Sequence, residues 1–520
     1  MNKNNAISLA VTSIIRDGLS DITTEKLEIE LISKYRIDFE AEIKEKLNKV
    51  NIDEMEFKPI QHLLTPKNRY IFDYRKAAII SPSCLAKYLA IVFQYAEIVE
   101  KARIPTSENI VFSYRFSPSD NSIFSKDIGY SQWREETKKR AEGDDCEFIV
   151  SCDIAAFYDR VNLHRIQSTL TSIGVEEKLV KLTNDLLSFW SKKDSYGIPV
   201  GNVASRILAE TVLIDIDKYL LSEKIQFTRY VDDYRFFAPD LITAQNWMNK
   251  LTTRLFRDGL MLNTGKTQIR KSRKIKNESD MFKEEQTSEA VLKTITILTG
   301  GYNKISRKFT MPADDKHEVF KQINIDSELK LLQEEDIVEF QGVQKIVIAA
   351  LIQQKFELLL KIAAACFQYL YTLDYFIDML LKNAAFIPTE IKRSIANVYI
   401  EQIDNLYIFE WHSASVARLL SHESYFDKEA LLKIVNSPAK DISTYASMIA
   451  LDGLQNKLSR SEFITIRNYF ERCDDWERRR LLNLSEALPI EKRKAWGRAM
   501  MLTVANDFLN KKLCKELARG

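Results

Sequence analysis

The chain has 520 residues, enough for about two to four domains, each with its own core. Its composition, 45% hydrophobic and 28% charged, excludes a disordered chain, and no apolar run reaches the length of a membrane span. Lysine and arginine (75) almost balance aspartate and glutamate (73), so any contact with a polyanion has to come from local clusters and not from the net charge of +2.

In chain order, the apolar stretch Ala6 to Ile15 follows only Lys3 and lacks a small-residue cleavage site, which makes it a buried helix or strand and not a signal peptide. Residues 22–48 mix charged and apolar positions (Glu25, Lys26, Leu27, Glu28, Ile29) with helical texture, and an N-terminal helical segment is expected over 1–57. Pro59 and Pro66 punctuate a change, after which short β-rich runs alternate with helical stretches to about residue 280, the texture of an α+β catalytic domain. The run Glu147 to Cys152 predicts a strand that delivers Asp153 at its end, although Asp153 alone reads equally well as a helix cap. His164 to Trp190 predicts a helix. Gly197-Ile198-Pro199-Val200-Gly201 is a turn with two glycines leading into a second helix, Arg206 to Leu221, and it suits a flat base or an anion while also being a common structural loop.

Phe227 to Ala238 then reads as a tight hairpin with Tyr230-Val231-Asp232-Asp233 at its turn. A helix over Leu241 to Phe256 and a strand around Met261 to Ile269 follow, the latter carrying Lys266, whose bland reading is a solvated strand end. Arg270 to Lys276 is a basic cluster that suits either a nucleic-acid backbone or a solvated loop. From about 300 to 520 the texture is all-helical, with one long periodicity over Lys355 to Lys382. Pro388, Pro438 and Pro489 sit at expected helix starts, each followed at seven, ten and eleven residues by positions of one buried face: Ile395, Val398, Tyr399; Tyr445, Met448, Ile449; Trp496, Ala499, Met500. Degenerate helical repeats of the HEAT type fit that spacing, and so does an unrelated helical bundle. The six cysteines are scattered, with no pair at zinc-ligand spacing, as expected of reduced thiols in a cytoplasm.

Adjacent aspartates repel unless a cation holds them, and hard carboxylate oxygens suit magnesium or manganese. Asp153 supplies a third acid, and three such ligands serve a site with two metal ions for in-line phosphoryl displacement. The order strand-Asp153, glycine turn into helix, Tyr-x-Asp-Asp hairpin, helix, Leu262-Asn263-x-x-Lys266-Thr267 resembles motifs A, B, C and D of the reverse-transcriptase palm. That resemblance implies an α+β fingers and palm domain over 58–280, followed by an all-α, HEAT-like domain over 300–520. It further implies Asp153, Asp232 and Asp233 as ligands of two Mg2+ ions (Mn2+ as the substitute), Tyr158 as a gate under the sugar, and Gly201 beside the nucleotide. Lys266 takes the place of a general acid for the leaving pyrophosphate. Lys67 and Arg75 match the fingers residues that contact the triphosphate, with Arg69 and Lys76 as rivals and Tyr114-Arg115-Phe116 in the next fingers motif. Val200 is a departure: ordinary reverse transcriptases have Gln there, near the nucleotide and the template base.

Gly-Ile-Pro-x-Gly-Asn-x-x-Ser-Arg, then Thr-Arg-Tyr-Val-Asp-Asp, then a long helical half, is similar to the abortive-infection (Abi) polymerases of the AbiK type, and in length to those of P-two-like prophages. This family resemblance implies a homo-oligomer of the bacterial cytoplasm with no membrane attachment, acting in antiviral defence. It implies polymerisation of dNTPs without a template, primed from a tyrosine so that the single-stranded DNA product stays covalently attached. Tyr35, Tyr70 and Tyr74 are early candidates among 21 tyrosines for that priming residue. Two other readings stand beside it: an RNA-templated reverse transcriptase of the retron or group II intron class, and a non-enzymatic helical scaffold with a vestigial palm.

Overall fold

Phe148–Asp153 (β5) and Asp233–Ala238 (β7) bury residues on both faces and therefore need cover on both sides. In the computed structural model they are the inner strands of a four-stranded antiparallel sheet in the order β6-β7-β5-β8, with Phe227–Tyr230 as β6 and Gln268–Lys271 as β8. The helix Leu241–Arg257 (α10) packs on β5 and β7, while Tyr130–Ala141 (α5) covers β6 and β7. On that second side Trp133 donates from Nε1 to Thr228 Oγ1 at 3.1 Å, so the buried indole and the strand hydroxyl satisfy each other. The structure describes residues 1–67, 74–192, 194–272, 320–321, 323–334, 340–367, 369–405, 410–436 and 443–519.

Two compact units divide the described chain. The first holds residues 1–60 together with 80–272. Its centre is Pro82–Ala102 (α4), a helix with buried residues all round, packed by Lys3–Asp17 (α1) and by Val203–Ser222 (α9). Two further helices, Lys26–Lys34 and Arg36–Leu47, lie beside α1. Asn2 caps α1 by accepting from Asn5 N, and Gly18 ends it at φ 92° with its N–H on Ile14 O, which turns the next residues sharply away.

The second unit contains the hairpin Gln61–Pro66 (β1) and Tyr74–Ile79 (β2) and the helices from Ile325 onward. The hairpin, which the sequence placed with the fingers, packs here against the helix Glu410–Ser421. Gln61 Nε2 donates to Asp474 Oδ2 at 2.5 Å and the Tyr74 hydroxyl lies 3.3 Å from His412 Nε2, so the polar groups of this hairpin meet partners of the helical unit. Glu410–Ser421, Tyr445–Gly453, Asp475–Asn483 and Phe508–Arg519 pack one against the next.

Three predicted elements differ from the structure. His164 to Trp190 is two helices, Leu163–Ser172 (α7) and Glu177–Trp190 (α8), because Gly174 at φ 85° takes the left-handed conformation that ends the first. Lys355 to Lys382 is likewise Glu357–Ala365 and Leu373–Lys382, separated by a tight turn in which Thr372 gives both its N–H and its hydroxyl to Tyr369 O at 2.8 Å. The strand expected from Met261 is a single bridge of Leu262 with Ile154 and then the strand Gln268–Lys271, because Asn263 opens a turn between them that closes with Lys266 N on Asn263 O at 3.1 Å. In the helical half, Pro388 and Pro489 do stand immediately before Thr389–Glu401 and Ile490–Met500. The three proposed buried faces are not equivalent, since Ile395, Tyr399, Tyr445, Met448 and Trp496 are buried whereas Ala499 is exposed. The helix of the middle copy begins at Tyr445, and Pro438 lies outside the described residues, as do 273–276 of the basic cluster.

Candidate active site

Two residues, Val231 and Asp232, join β6 to β7, with Tyr230 paired to Asp233. Val231 has φ 55°, a conformation that a β-branched residue keeps only where its surroundings over-determine it. They do so through Arg229, which is fully buried and donates from Nη1 to Val231 O at 2.7 Å. Its remaining donors reach Asp217 from Nε (2.9 and 3.1 Å) and Nη2 (2.6 Å), and Glu210 from Nη2 (2.9 Å). Arg103 holds the same Glu210 oxygen at 2.7 Å. Burial works to raise the Glu210 carboxyl, and the two guanidiniums outweigh it, so this acid sits below the usual carboxylate range. Asp217 is shifted the other way, its carboxyl raised by burial against the pull of Arg229, and the turn that carries Asp232 thus rests on a buried cluster of two arginines and two acids.

Strand register brings the acids together. β5 pairs with β7 so that Asp153 faces Asp233, and Ile154 N donates to Asp232 O at 3.2 Å. The buried Asp153 accepts from Asn263 Nδ2 at 3.1 Å, has Lys266 Nζ at 3.5 Å, and takes Asn263 N on its carbonyl at 2.7 Å. Arg235 Nη1 lies 3.4 Å from Asp233 Oδ1. Burial, then the charges of Asp153 and Asp233, raise the Asp232 carboxyl well above the usual range, and Lys266 opposes them without prevailing.

The glycine turn closes the other side. Gly197 (φ 93°) and Gly201 (φ 108°) both occupy conformations that other residues rarely adopt. Gly197 N donates to Val161 O at 2.8 Å and Ile198 N to Tyr158 O at 3.0 Å, which binds the turn to the short helix Phe157–Arg160 (α6) that follows Asp153. Asn202 fixes its far end by accepting from Ser205 N at 2.9 Å while donating to Pro199 O at 3.0 Å. Tyr158 is buried between them; burial first, and Asp232, Glu210 and Asp21 next, push its phenol up, with Arg206 pulling it down.

Asp153, Asp232, Asp233 and Lys266 therefore meet at one end of the sheet, with Tyr158 near Asp232 and Gly201 in the turn bonded to Tyr158. Lys67, exposed at the end of β1, and Arg75, half-buried opposite Thr65, belong to the second unit. Tyr74 is also there, its phenol pushed up to about 12 by burial. Tyr35 stands between Lys26–Lys34 and Arg36–Leu47 in the first unit, and Arg69 and Tyr70 lie outside the described residues. The sequence reading missed the carboxylate bond of Asn263, although Asn263 stood inside a recognised motif. It also missed the hold of Arg229 on Val231 and the contact of Asp21 with the glycine turn, for which only long-range packing gives a signal.

Whether the acids fit a metal can be judged from their chemistry. Among the described residues no three His, Cys, Asp or Glu side chains are gathered as a ready cage. Magnesium is usually held by one or two carboxylates plus substrate phosphates and water, so the hard carboxylate oxygens of Asp153, Asp232 and Asp233 at one end of the sheet fit it without a ready cage. No described helix is long and apolar enough to cross a membrane.

Residues 99–283 match the family model described as reverse transcriptase (RNA-dependent DNA polymerase), which spans little more than a third of the chain and includes all four of the converging residues. The chain thus carries an RNA-directed-DNA-polymerase-like nucleotidyltransferase domain. No curated protein matches it. Among solved structures, apo telomerase from Candida tropicalis truncated from its C-terminal domain is similar at 14% identity and a TM-score of 0.31, over 42% of this chain and 50% of that one. The apo telomerase of the same organism matches at 11% and 0.31, over 75% of this chain and 69% of that one. Telomerase from Candida albicans, in complex with a fragment of telomeric RNA, matches at 12% and 0.31, over 71% and 65%. The chain spans half the length of the first of these.

Proposed function

We propose that the protein is a protein-primed, template-independent DNA polymerase of the Abi type, acting in bacterial defence against phage. The observation that carries a polymerase reading is the convergence of Asp153, Asp232, Asp233 and Lys266 at one end of the inner strands of an antiparallel sheet. Asp153 and Asp232, assisted by Asp233, are the residues to hold two Mg2+ ions. Bound there, the ions would lower the pKa of the attacking hydroxyl and neutralise charge on the phosphates. The attacking oxygen, a tyrosine phenol in the first step and a 3′-hydroxyl afterwards, forms a bond to the α-phosphorus of a dNTP while pyrophosphate leaves. Lys266 gives the leaving group its proton, and Tyr158 supports the sugar. Lys67 and Arg75 are the candidate triphosphate contacts. The helical half is read as HEAT-like repeats that serve a homo-oligomer.

Independence from a template is supported by Val200, whose side chain is 5% exposed and offers no hydrogen bond where a Gln would stand. The test is incubation of purified protein with dNTPs and Mg2+ alone. A ladder of DNA that survives denaturation and disappears with protease is expected, with mass spectrometry locating the modified tyrosine. A second reading, an RNA-templated reverse transcriptase, has the description of the matched family in its favour; complementary product made only with added RNA and primer, and no protein-linked ladder, would establish it instead. Asp232→Ala is expected to abolish both synthesis and phage protection, and protection that outlives synthesis would turn the reading toward a scaffold.

A further inference from the structure

Beyond Gly18 the chain doubles back, and Leu19, Ser20, Asp21 and Thr23 are all buried although they belong to neither helix nor strand. This segment lies against the glycine turn. Asp21 N donates to Gly201 O at 3.1 Å, and a Cβ on Gly201 would stand 3.0 Å from Ser20 Oγ, 3.1 Å from Asp21 Oδ1 and 3.2 Å from Ile22 Cδ1. The Asp21 carboxylate is ion-paired with Arg206 Nη2, one turn into α9, and the Arg206 guanidinium also lies 5.0 Å from the centre of the Tyr114 ring. An open glycine turn ahead of a helix start is a place where a flat base or a phosphate can come close to the backbone. Here the chain has filled that place with its own residues, and with its own anion. The filled place adjoins the reaction centre, because the turn is bonded to Tyr158 through Ile198 and the Tyr158 phenol feels both Asp21 and Asp232.

We propose that Ser20, Asp21 and Ile22 are the specificity-determining element of template independence: they cover the face of the glycine turn on which a templating base would stack, and so the incoming nucleotide is chosen with no base opposite it. This rests on the site being an untemplated polymerase. On that reading, with the sugar over Tyr158 and the phosphates toward Asp153 and Asp232, the base of the nucleotide would extend toward Gly201, against which these three residues lie. The Asp21–Arg206 pair keeps the cover in place.

The experiment uses full-length protein, Mg2+ and four dNTPs at equal concentration, with and without poly(rA), and reads the ratio of dT to dG in the product. Wild type is expected to give the same ratio in both conditions. Asp21→Ala and Arg206→Ala, which release the cover from its two sides, are expected to raise that ratio about tenfold when poly(rA) is present. Variants that synthesise as wild type does and ignore poly(rA) overturn the proposal. Wild type that itself copies poly(rA) into poly(dT) overturns instead the untemplated reading on which it rests. Should either variant fail to fold or to synthesise, hydrogen exchange on wild type during synthesis decides: protection of residues 18–23 unchanged by dNTPs and Mg2+ supports the cover, and exchange rising there to the rate of an open chain overturns it.

Discussion

Asn263 and Lys266 approach the same carboxylate from one turn, and they should fail differently when removed. Asn263 donates to Asp153 Oδ2 and so orients a ligand without reacting, which places it among the outer partners whose loss weakens metal affinity about 10- to 100-fold. Asn263→Ala is therefore expected to shift the Mg2+ dependence of incorporation to higher concentration, with most of the rate recovered at saturating metal. Lys266 stands 3.5 Å from Asp153 Oδ1 and would act on the leaving group, so Lys266→Leu should lower kcat by about 100-fold at any metal concentration, the usual worth of a positioned proton donor. A magnesium titration of both variants separates the two roles. The lysine was legible in the sequence only through its place in the Leu262-Asn263-x-x-Lys266-Thr267 motif, since a lone cation after a β-like run reads equally as a solvated strand end. The asparagine's bond was not, because an amide in a turn is satisfied as readily by backbone, and Asn263 does also accept from Gly265 N.

The hairpin that carries Asp232 is held from below by a charge cluster that the strands themselves could not supply. Removing Arg229 leaves Glu210 and Asp217 buried without the fork that spans them, and breaking a buried pair in this way costs about 3–5 kcal/mol. Arg229→Met is expected to show that loss in urea unfolding; Arg229→Lys should recover part of the stability but little activity, since one ammonium cannot hold two acids and the Val231 carbonyl together. A similar constraint of close approach acts in the second unit at Gly453, where an added Cβ would collide with the Ser421 side chain on the neighbouring helix. Gly453→Ala should cost about 1–3 kcal/mol by overpacking, measurable as a lower Tm. The strands around Asp153 and Asp232 could be read from sequence because short β-rich runs stand in motif order with the hairpin, although Asp153 alone reads equally well as a helix cap. Helix lengths could not: the break at Gly174 depends on its left-handed backbone, and the break before Leu373 on hydrogen bonds converging on Tyr369 O. Nor could the partners of the β1-β2 hairpin be read, since Gln61 meets Asp474 across more than 400 residues.

At the scale of the molecule, two units with separate cores need not unfold together, and acid should reveal this. His412 lies in the second unit, fully buried on the helix Glu410–Ser421 beside the Tyr74 hydroxyl. Burial lowers its pKa to about 4, and Asp374, which itself accepts from Ser415 Oγ at 2.9 Å and Arg418 Nη2 at 2.8 Å, only partly opposes that shift. An unfolded histidine titrates near 6.5, so between about 6.5 and 4 the unfolded chain binds the proton and the folded unit does not. Stability from this residue is therefore complete above that window, is lost as the pH falls through it, and changes little further below it. The shift amounts to ~3 kcal/mol, a large fraction of what holds an ordinary domain. Hydrogen exchange followed by peptide should show 410–421 losing protection as the pH is lowered from 7 to 4.5, before 148–153 of the first unit does. His412→Phe, which keeps a ring of similar size and removes the proton site, should flatten that pH dependence. If the helix opens over the same window in the variant, the acid sensitivity of the second unit has another source.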